Sequence, residues 1–245
     1  MTKWTAVVLC LLSLAVVTAC GAGNTALRET TWSNSKTWSG YAVVGGHYTE
    51  VSASWVEPSV DCSVAPTVAS KYWEAALFWA GLDGLLPHST VEQTGTSVIC
   101  EYQNPIYKAW YELYPEPQVQ YSNLVKAGDK ISASVTTDGN GHFTLILADS
   151  SEGWSRRTSA TFTKAELASA EVIAEDPGPP PDFGEERRTL ADFGTVSFTR
   201  ATANGVSFSD VNGLHNIAME PRYRKLMAST SRMANGAFYV TWKHS

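Results

Sequence analysis

The chain has 245 residues, of which 44% are hydrophobic and 17% charged, a composition typical of a folded protein with one large domain. Nine Trp, ten Tyr and eight Phe favour β structure, in which aromatic side chains are enriched. The formal net charge of −6 at pH 7 argues against nucleic acid or an anionic membrane surface as a partner.

The first 19 residues have the layout of a secretory signal peptide, with a basic start, an apolar run over residues 6–17 and small residues after it. The tetrapeptide VTAC, which ends at Cys20, resembles a bacterial lipobox and predicts cleavage before Cys20 and lipidation of that side chain. The alternative is an ordinary signal peptide cleaved after Ala19. In either case we expect an extracytoplasmic protein, secreted or held at the cell surface, that meets a membrane only through a lipid anchor.

Residues 20–36 are rich in Gly, Asn, Thr and Ser, which predicts a flexible spacer before a folded domain of residues 37–245. Within that domain, apolar residues alternate with polar ones at a period of two, the pattern of strands with one buried face. The clearest examples are Val51–Trp55, Ile131–Val135, Phe143–Leu147 and Phe238–Trp242. Many short strands separated by turn signals, without βαβ alternation, predict an antiparallel all-β sandwich.

One segment departs from this pattern. Residues 164–176 (KAELASAEVIAED) are rich in Ala, Glu and Leu, so intrinsic propensity alone predicts a helix. The PGPPP run that follows, residues 177–181, is expected to be a loop because proline lacks a backbone donor and has a fixed φ.

Two of the four cysteines are expected to form a disulfide. Cys10 lies in the signal peptide and Cys20 is the candidate anchor, which leaves Cys62 and Cys100 to pair in an oxidising compartment. Such a bridge would contribute roughly 3–4 kcal/mol in the chain-entropy model. The alternative is two independent buried thiols.

Carboxylates are the best candidates for chemistry, because the chain has no G-x-S-x-G, HExxH or Walker motif. The five His residues are scattered, so we expect neither a metal site nor a cofactor. Glu171 and Glu175 are four residues apart, which places them on one face of either a strand or a helix. Taken alone, such a pair is more often two solvated side chains.

Six motifs occur in the order and approximate spacing of one known family: FWAGLDG, EQTGT, YKAWYELYPEP, VKAGDKI, AEVIAEDP and FGTVSF. Together they resemble the eqolisins, the glutamic peptidases, over roughly Trp38 to Arg200, and the lipobox would make this a bacterial member. The resemblance implies a sandwich of two antiparallel sheets, of the concanavalin-like or jelly-roll type. It also implies that AEVIAED is a strand, and we follow it over the helix propensity because tertiary context often overrides propensity.

Carried over position by position, the resemblance implies a catalytic dyad of Gln93 and Glu175. An ionised Glu175 would activate water, and the amide of Gln93, which does not titrate, would stabilise the tetrahedral intermediate. The reference pKa of Glu, about 4.3, predicts activity in acid. Residues expected to line or support the cleft are Trp79, Asp83, Trp110, Tyr111, Glu112 and Glu171.

The chain also departs from the family pattern. Ser97 stands where some members have Asp, and loss of that acid would change the pKa of Glu175 and therefore the pH optimum. Leu113 replaces a common Trp, and the PGPPPDFGEERR segment after Asp176 is expected to reshape the rim of the cleft.

The sequence therefore predicts an acid endopeptidase that acts on polypeptides as a monomer. Two alternatives stay open at this point. One is a noncatalytic, lectin-like module whose Trp and Tyr side chains stack on sugars. The other is a glycoside hydrolase that uses Glu171 and Glu175 as its carboxylate pair.

Overall fold

A computed structural model describes residues 30–63, 73–85, 90–178, 188–221 and 225–244. These residues form 17 β-strands and one short 3-10 helix, Phe208–Asp210. The strands are β1 (Thr30–Ser35), β2 (Trp38–Val44), β3 (Glu50–Val56), β4 (Trp73–Leu82), β5 (Val91–Glu101), β6 (Asn104–Tyr114), β7 (Val119–Tyr121), β8 (Lys130–Thr137), β9 (His142–Asp149), β10 (Trp154–Thr161), β11 (Ser169–Glu175), β12 (Arg188–Leu190), β13 (Thr195–Ala203), β14 (Val206–Ser207), β15 (Leu214–Met219), β16 (Ala228–Thr230) and β17 (Phe238–Trp242).

The strands form two sheets that share a core, as predicted. The first has the order β1–β15–β2–β11–β4–β5–β6–β7, and β12 also pairs with β4; the pairing is antiparallel except between β1 and β15 and between β12 and β4. The second has the order β17–β13–β3–β8–β9–β10 and is antiparallel throughout. Strand β16 pairs with both β15 and β17 and so connects the two sheets at one side.

Alternating apolar residues place one face of each second-sheet strand in the shared core. In β3 the buried residues are Val51, Ala53 and Trp55, and β8 and β9 bury the predicted residues in the same way. Aromatic side chains fill the centre, where the rings of Phe198 and Phe238 stack 5.1 Å apart. This burial of apolar surface is the main contribution to stability that the packing of the two sheets provides.

Strand β11 confirms the strand expected from the family resemblance and shows that the helix expected from propensity is wrong. Ser169–Glu175 pairs with β2 on one side and with β4 on the other, so its backbone groups are bonded across the sheet. Residues 169–174 are buried on both faces, and these long-range contacts outweigh the local preference of Ala and Glu for a helix.

The folded part begins earlier than the predicted boundary at residue 37. Strand β1, Thr30–Ser35, lies within the expected spacer and pairs in parallel with β15. Backbone hydrogen bonds to a sheet edge do not require an apolar pattern, and β1 is largely exposed. The sequence of this segment therefore contained no periodic signal for a strand.

The predicted disulfide between Cys62 and Cys100 is present, with Cα atoms 5.4 Å apart. It ties the segment after β3 to the end of β5 and so connects the two sheets. The predicted signal peptide, Cys20 and most of the segment expected to reshape the cleft rim lie outside the described residues. In the described part of the chain, no helix is long and apolar enough to cross a bilayer.

Candidate active site

The candidate site is built on the face of the first sheet that points away from the shared core. Residues directly opposite each other on neighbouring strands point to the same face of a sheet. Glu171 on β11 lies opposite Gly81 on β4, Gly81 opposite Gln93 on β5, and Gln93 opposite Glu112 on β6. The strand register thus brings a glutamine and two glutamates from distant parts of the chain into one row across the sheet.

Two further rows run parallel to the first. One contains Ile173, Trp79, Gly95 and Trp110, and the other contains Glu175, Leu77, Ser97 and Lys108. Ile173, Trp79, Leu77 and Trp110 form a second apolar cluster on this face, together with Ala42, Val91 and Ile217. The polar side chains of the site are therefore set in an apolar surface.

Glu175 is the last residue of β11 and is only partly buried, so one end of its side chain reaches the surface. Its Oε2 accepts a hydrogen bond of 2.7 Å from the indole nitrogen of Trp79. The Trp79 side chain is completely buried and packs edge-to-face against Trp38, with ring centroids 5.0 Å apart. These contacts hold the carboxylate in one position.

Gly95 leaves the room that this Trp79 conformation needs. A Cβ atom at Gly95 would lie 2.7 Å from the Cβ of Trp79 and 2.1 Å from the carbonyl oxygen of Phe78. The glycine of the EQTGT motif is thus required by close packing of β5 against β4. In the sequence it was visible only as part of the family motif.

Burial raises the pKa of Glu175 to about 7, and the negative charges of Glu112 and Asp176 act in the same direction. The indole groups of Trp79 and Trp38 offset part of this change because they donate hydrogen bonds to the ionised form. The carboxyl group therefore loses its proton near neutral pH, well above the reference value on which the expectation of acid activity was based.

Gln93 is 6% exposed, and its Nε2 donates a hydrogen bond of 2.8 Å to Oε2 of Glu112. The carboxylate accepts only, so this bond determines which end of the amide faces Glu112. Nε2 carries two hydrogens, and the second is left for another acceptor, while the amide oxygen has no partner among the described residues. Burial raises the pKa of Glu112, and its hydrogen bond with Gln93 lowers it.

Gln93 and Glu175 are two strands apart and four residues apart along the strand direction. On a flat sheet with strands about 4.8 Å apart and a rise of about 3.3 Å per residue, their Cα atoms would be roughly 16 Å apart. Side chains stand roughly perpendicular to a sheet, so the carboxylate and the amide rise from the same face on the two sides of β4, where an extended substrate lying across β4 can contact both.

Asp83 directly follows the last residue of β4 and supports the site without lining the cleft. Its carboxylate is completely buried and accepts hydrogen bonds from the backbone amides of Glu166, Leu167 and Ala168, at 2.7–2.9 Å. Its own backbone amide donates to the carbonyl of Ser169. Asp83 thus fixes the segment that leads into β11 and, through β11, the position of Glu175.

Glu171 shares the face of Glu175, as its spacing predicted, but it is completely buried. Burial, together with the charges of Asp83 and Glu92, raises its pKa well above the ordinary value. Because Glu171 is completely buried, its carboxyl group is not open to a substrate, whereas a glycoside hydrolase needs both carboxyl groups at the bond that is cleaved. The geometry therefore disfavours the glycoside hydrolase alternative.

The two aromatic residues predicted from the WYELYP motif have different positions. Trp110 lies on the site face but is completely buried, and its indole nitrogen has no partner among the described residues. Tyr111 points to the opposite face, where its ring packs against that of Tyr121 at 5.5 Å. Tyr111 therefore does not share the face of Gln93 and Glu175, because neighbouring residues of a strand point to opposite faces.

Two features next to the site were missed in the sequence. Glu92 precedes Gln93 and so points to the opposite face of β5, where it is completely buried, and burial raises its pKa to about 8. A groove of about 600 Å³ also opens beside the site on the β1, β2 and β15 side. Trp38, whose backbone lies opposite that of Glu175, is part of its wall. The other lining residues are Ser33, Asn34, Ser35, Thr37, Val44, Gly84, Leu85, His215 and Ile217.

Among the described residues, no group of three or more His, Cys, Asp or Glu side chains could hold a metal ion. The arrangement combines a fixed carboxylate, an oriented amide and an adjacent groove, which suits a reaction in which a carboxylate activates water and the amide stabilises developing negative charge.

Known proteins are similar to this chain in sequence. The sequence model of the peptidase A4 family matches residues 36–242. Aspergillopepsin-2 of Aspergillus niger is 28% identical over 185 residues, which cover 69% of this chain and 64% of that protein. Scytalidopepsin B of Scytalidium lignicola is 28% identical over 145 residues, which cover 57% of this chain and 51% of that protein. The chain spans less than two thirds of the length of these relatives.

Solved structures share the fold. A crystal structure of scytalido-glutamic peptidase with a transition state analog inhibitor superimposes with a TM-score of 0.68 at 24% identity, over 85% of this chain and 98% of that one. The crystal structure of aspergilloglutamic peptidase from Aspergillus niger gives a TM-score of 0.60 at 26% identity, over 69% of this chain and 99% of that one.

Proposed function

Since the chain belongs to the peptidase A4 family, we propose that it is a glutamic peptidase that hydrolyses peptide bonds in polypeptides, with Glu175 and Gln93 as its catalytic residues. The observation that carries the proposal is that the strand register places a carboxylate held by Trp79 and an amide oriented by Glu112 on the same face of one sheet, on the two sides of β4. A lectin-like module would need neither feature.

In the proposed reaction, ionised Glu175 takes a proton from a water molecule, and the water oxygen attacks the carbonyl carbon of the substrate. The carbonyl oxygen becomes negative and accepts a hydrogen bond from the free N–H of Gln93, whose other N–H is held by Glu112. Protonated Glu175 then gives its proton to the leaving nitrogen as the C–N bond breaks. The products are a carboxylic acid and an amine, and no acyl-enzyme forms.

The pH dependence should follow the ionisation of Glu175. Because the pKa of this carboxyl is raised to about 7, the base form becomes more abundant as pH rises towards neutrality. The stability of the folded protein changes in the opposite sense, since buried carboxyl groups with raised pKa values make the free energy of unfolding fall as pH rises. We therefore expect the best activity in weak acid, roughly pH 6, rather than in the strong acid that the reference pKa of Glu would predict.

The test is hydrolysis of an unfolded protein substrate from pH 2 to 8, with and without a chelator. We expect cleavage that a chelator does not affect, no activity in Glu175→Gln, and a loss of about 10²-fold or more in kcat in Gln93→Ala, as for removal of an oxyanion donor. Glu116→Gln, which changes an exposed glutamate in the same way, should behave as wild type.

Full activity in Glu175→Gln would contradict the proposed mechanism, as would a wild-type protein that cleaves nothing in this pH range. An unchanged kcat in Gln93→Ala would remove Gln93 from the mechanism and leave Glu175 as the base.

We also propose that the protein works outside the cytoplasm and is attached to a membrane by lipid at Cys20. The layout of residues 1–20 and a disulfide that needs an oxidising compartment support this. Labelling with radioactive palmitate should mark the wild type and not Cys20→Ser. Equal labelling of the two would refute the anchor.

A further inference from the structure

Lys108 is a cationic residue on the face that carries the candidate site. The five strands that build this face, β2, β11, β4, β5 and β6, contain one Lys and no Arg. That residue, Lys108, is in the same row as Glu175, with Leu77 and Ser97 between them. Its side chain therefore points to the face of the catalytic groups and not into the shared core.

Lys108 and its neighbour Ser97 have unused hydrogen-bonding capacity. They lie directly opposite each other on β5 and β6, a position in which Cβ atoms are about 4.5–5.5 Å apart. In the part of the chain that the structure describes, neither side chain makes a hydrogen bond or an ion pair. Glu175 is bonded to Trp79 and Glu112 to Gln93, and neither carboxylate is paired with Lys108.

An ammonium group beside a hydroxyl group provides several donors and a positive charge, and the natural ligand for this combination is a carboxylate. We propose that Lys108, together with Ser97, forms a subsite that binds an acidic side chain of the polypeptide substrate. This inference rests on the proposed peptidase function and specifies the substrate class of the same site.

The register also indicates where the acidic residue would lie in the substrate. Three strand spacings of about 4.8 Å separate Lys108 from Glu175, or roughly 14 Å in all. An extended peptide advances about 3.3 Å per residue, and alternate side chains face the same way. Four residues of an extended peptide span this distance, and so do two residues together with the length of the lysine side chain. The residue that contacts Lys108 would therefore be two or four positions from the cleaved bond.

The matching experiment uses pairs of peptides that differ only in Glu or Gln at one position, two or four residues to either side of the cleaved bond. At pH 6 the Glu side chain of a free peptide is ionised. In at least one of these positions we expect wild-type protein to cleave the Glu peptide with a kcat/KM about five- to tenfold higher than the Gln peptide, with a smaller ratio at high salt.

Three variants test the assignment. Lys108→Met should remove the preference for Glu while leaving kcat/KM for the Gln peptide within about twofold. Lys108→Arg keeps the charge and should keep a preference, and Ser97→Ala should reduce it. Lys108→Glu should reverse the preference, so that a peptide with Lys at the variable position is cleaved better than the peptide with Glu.

The outcomes separate this inference from the proposed function. If wild-type protein cleaves the Glu and Gln peptides equally well at all four positions, the acidic subsite is refuted and the peptidase function stands. An unchanged preference in Lys108→Met would also refute it. If wild-type protein cleaves neither member of any pair, nor an unfolded protein, the proposed function itself fails.

Discussion

Replacement of Glu57 by Gln should make the fold more stable at neutral pH and leave it nearly unchanged in acid. Glu57 follows β3, lies between the two sheets and is 1% exposed. Its Oε2 accepts hydrogen bonds from the indole nitrogen of Trp55 at 3.0 Å and from Oγ1 of Thr96 at 2.6 Å. A glutamine oxygen can accept both, so the substitution keeps the shape and the two hydrogen bonds while it removes the charge.

The magnitude follows from the pKa of Glu57. Burial raises it from 4.5 to about 7, and the hydrogen bonds from Thr96 and Trp55 only partly oppose this change. Because the folded pKa is the higher one, the stability is fully present below the unfolded pKa and is lost as pH rises through the folded pKa. Each pKa unit corresponds to about 1.4 kcal/mol, so ionisation of Glu57 lowers the free energy of unfolding by about 3 kcal/mol between pH 4 and pH 7.

The assay is urea-induced unfolding of wild type and Glu57→Gln at pH 4, 5, 6 and 7. The difference in free energy of unfolding should grow steadily with pH and favour the variant by about 3 kcal/mol at pH 7. Glu116→Gln, which changes an exposed glutamate, should show no such trend. If the difference between Glu57→Gln and wild type does not change with pH, Glu57 does not titrate with a raised pKa and the reasoning is wrong.

Three other substitutions test the packing and electrostatics of the site. Trp79→Phe removes a hydrogen bond to the Glu175 carboxylate, so the pKa of Glu175 should rise and the rising part of the pH–activity profile should move to higher pH by about 1–2 units. An unchanged profile would show that this bond does not control the ionisation of Glu175. Gly95→Ala should destabilise the protein by about 3 kcal/mol or more in urea, because the new Cβ would overlap the carbonyl oxygen of Phe78, and near-wild-type stability would contradict the close packing. Cys100→Ser should lower the free energy of unfolding by about 4 kcal/mol for a bridge of sequence separation 38, and a reducing agent should affect wild type but not this variant.

Much of the fold could be read from local patterns. The alternation in β3, β8 and β9 marked strands and named their buried residues correctly, because one face of each strand packs against the other sheet. Strand β1 escaped prediction because an exposed edge strand needs only backbone hydrogen bonds. Strand β11 was misleading as a local sequence, since its Ala and Glu residues favour a helix while its two neighbouring strands require an extended chain.

The candidate site shows the same difference between what the local sequence predicts and what strand pairing decides. The motifs nominated Gln93 and Glu175, but only strand pairing showed that β4 lies between them and that Trp79 holds the carboxylate. Asp83 was expected to line or support the cleft, and the structure shows how it holds the segment that leads into β11. Lys108 lies within the motif YKAWYELYPEP, but the motif did not single it out, because its position beside Ser97 on the site face follows only from strand pairing.

By itself, the sequence determined the fold class, the cysteine pairing and the family, because these depend on periodicity, on composition and on motifs in order along the chain. The tertiary structure alone decided which face of each strand became the site. Alternation shows that Trp110 and Tyr111 point in opposite directions, but it does not show which of them meets the shared core. That choice depends on how the second sheet packs against the first. The same packing buries Glu175 and Glu57 and so raises their pKa values.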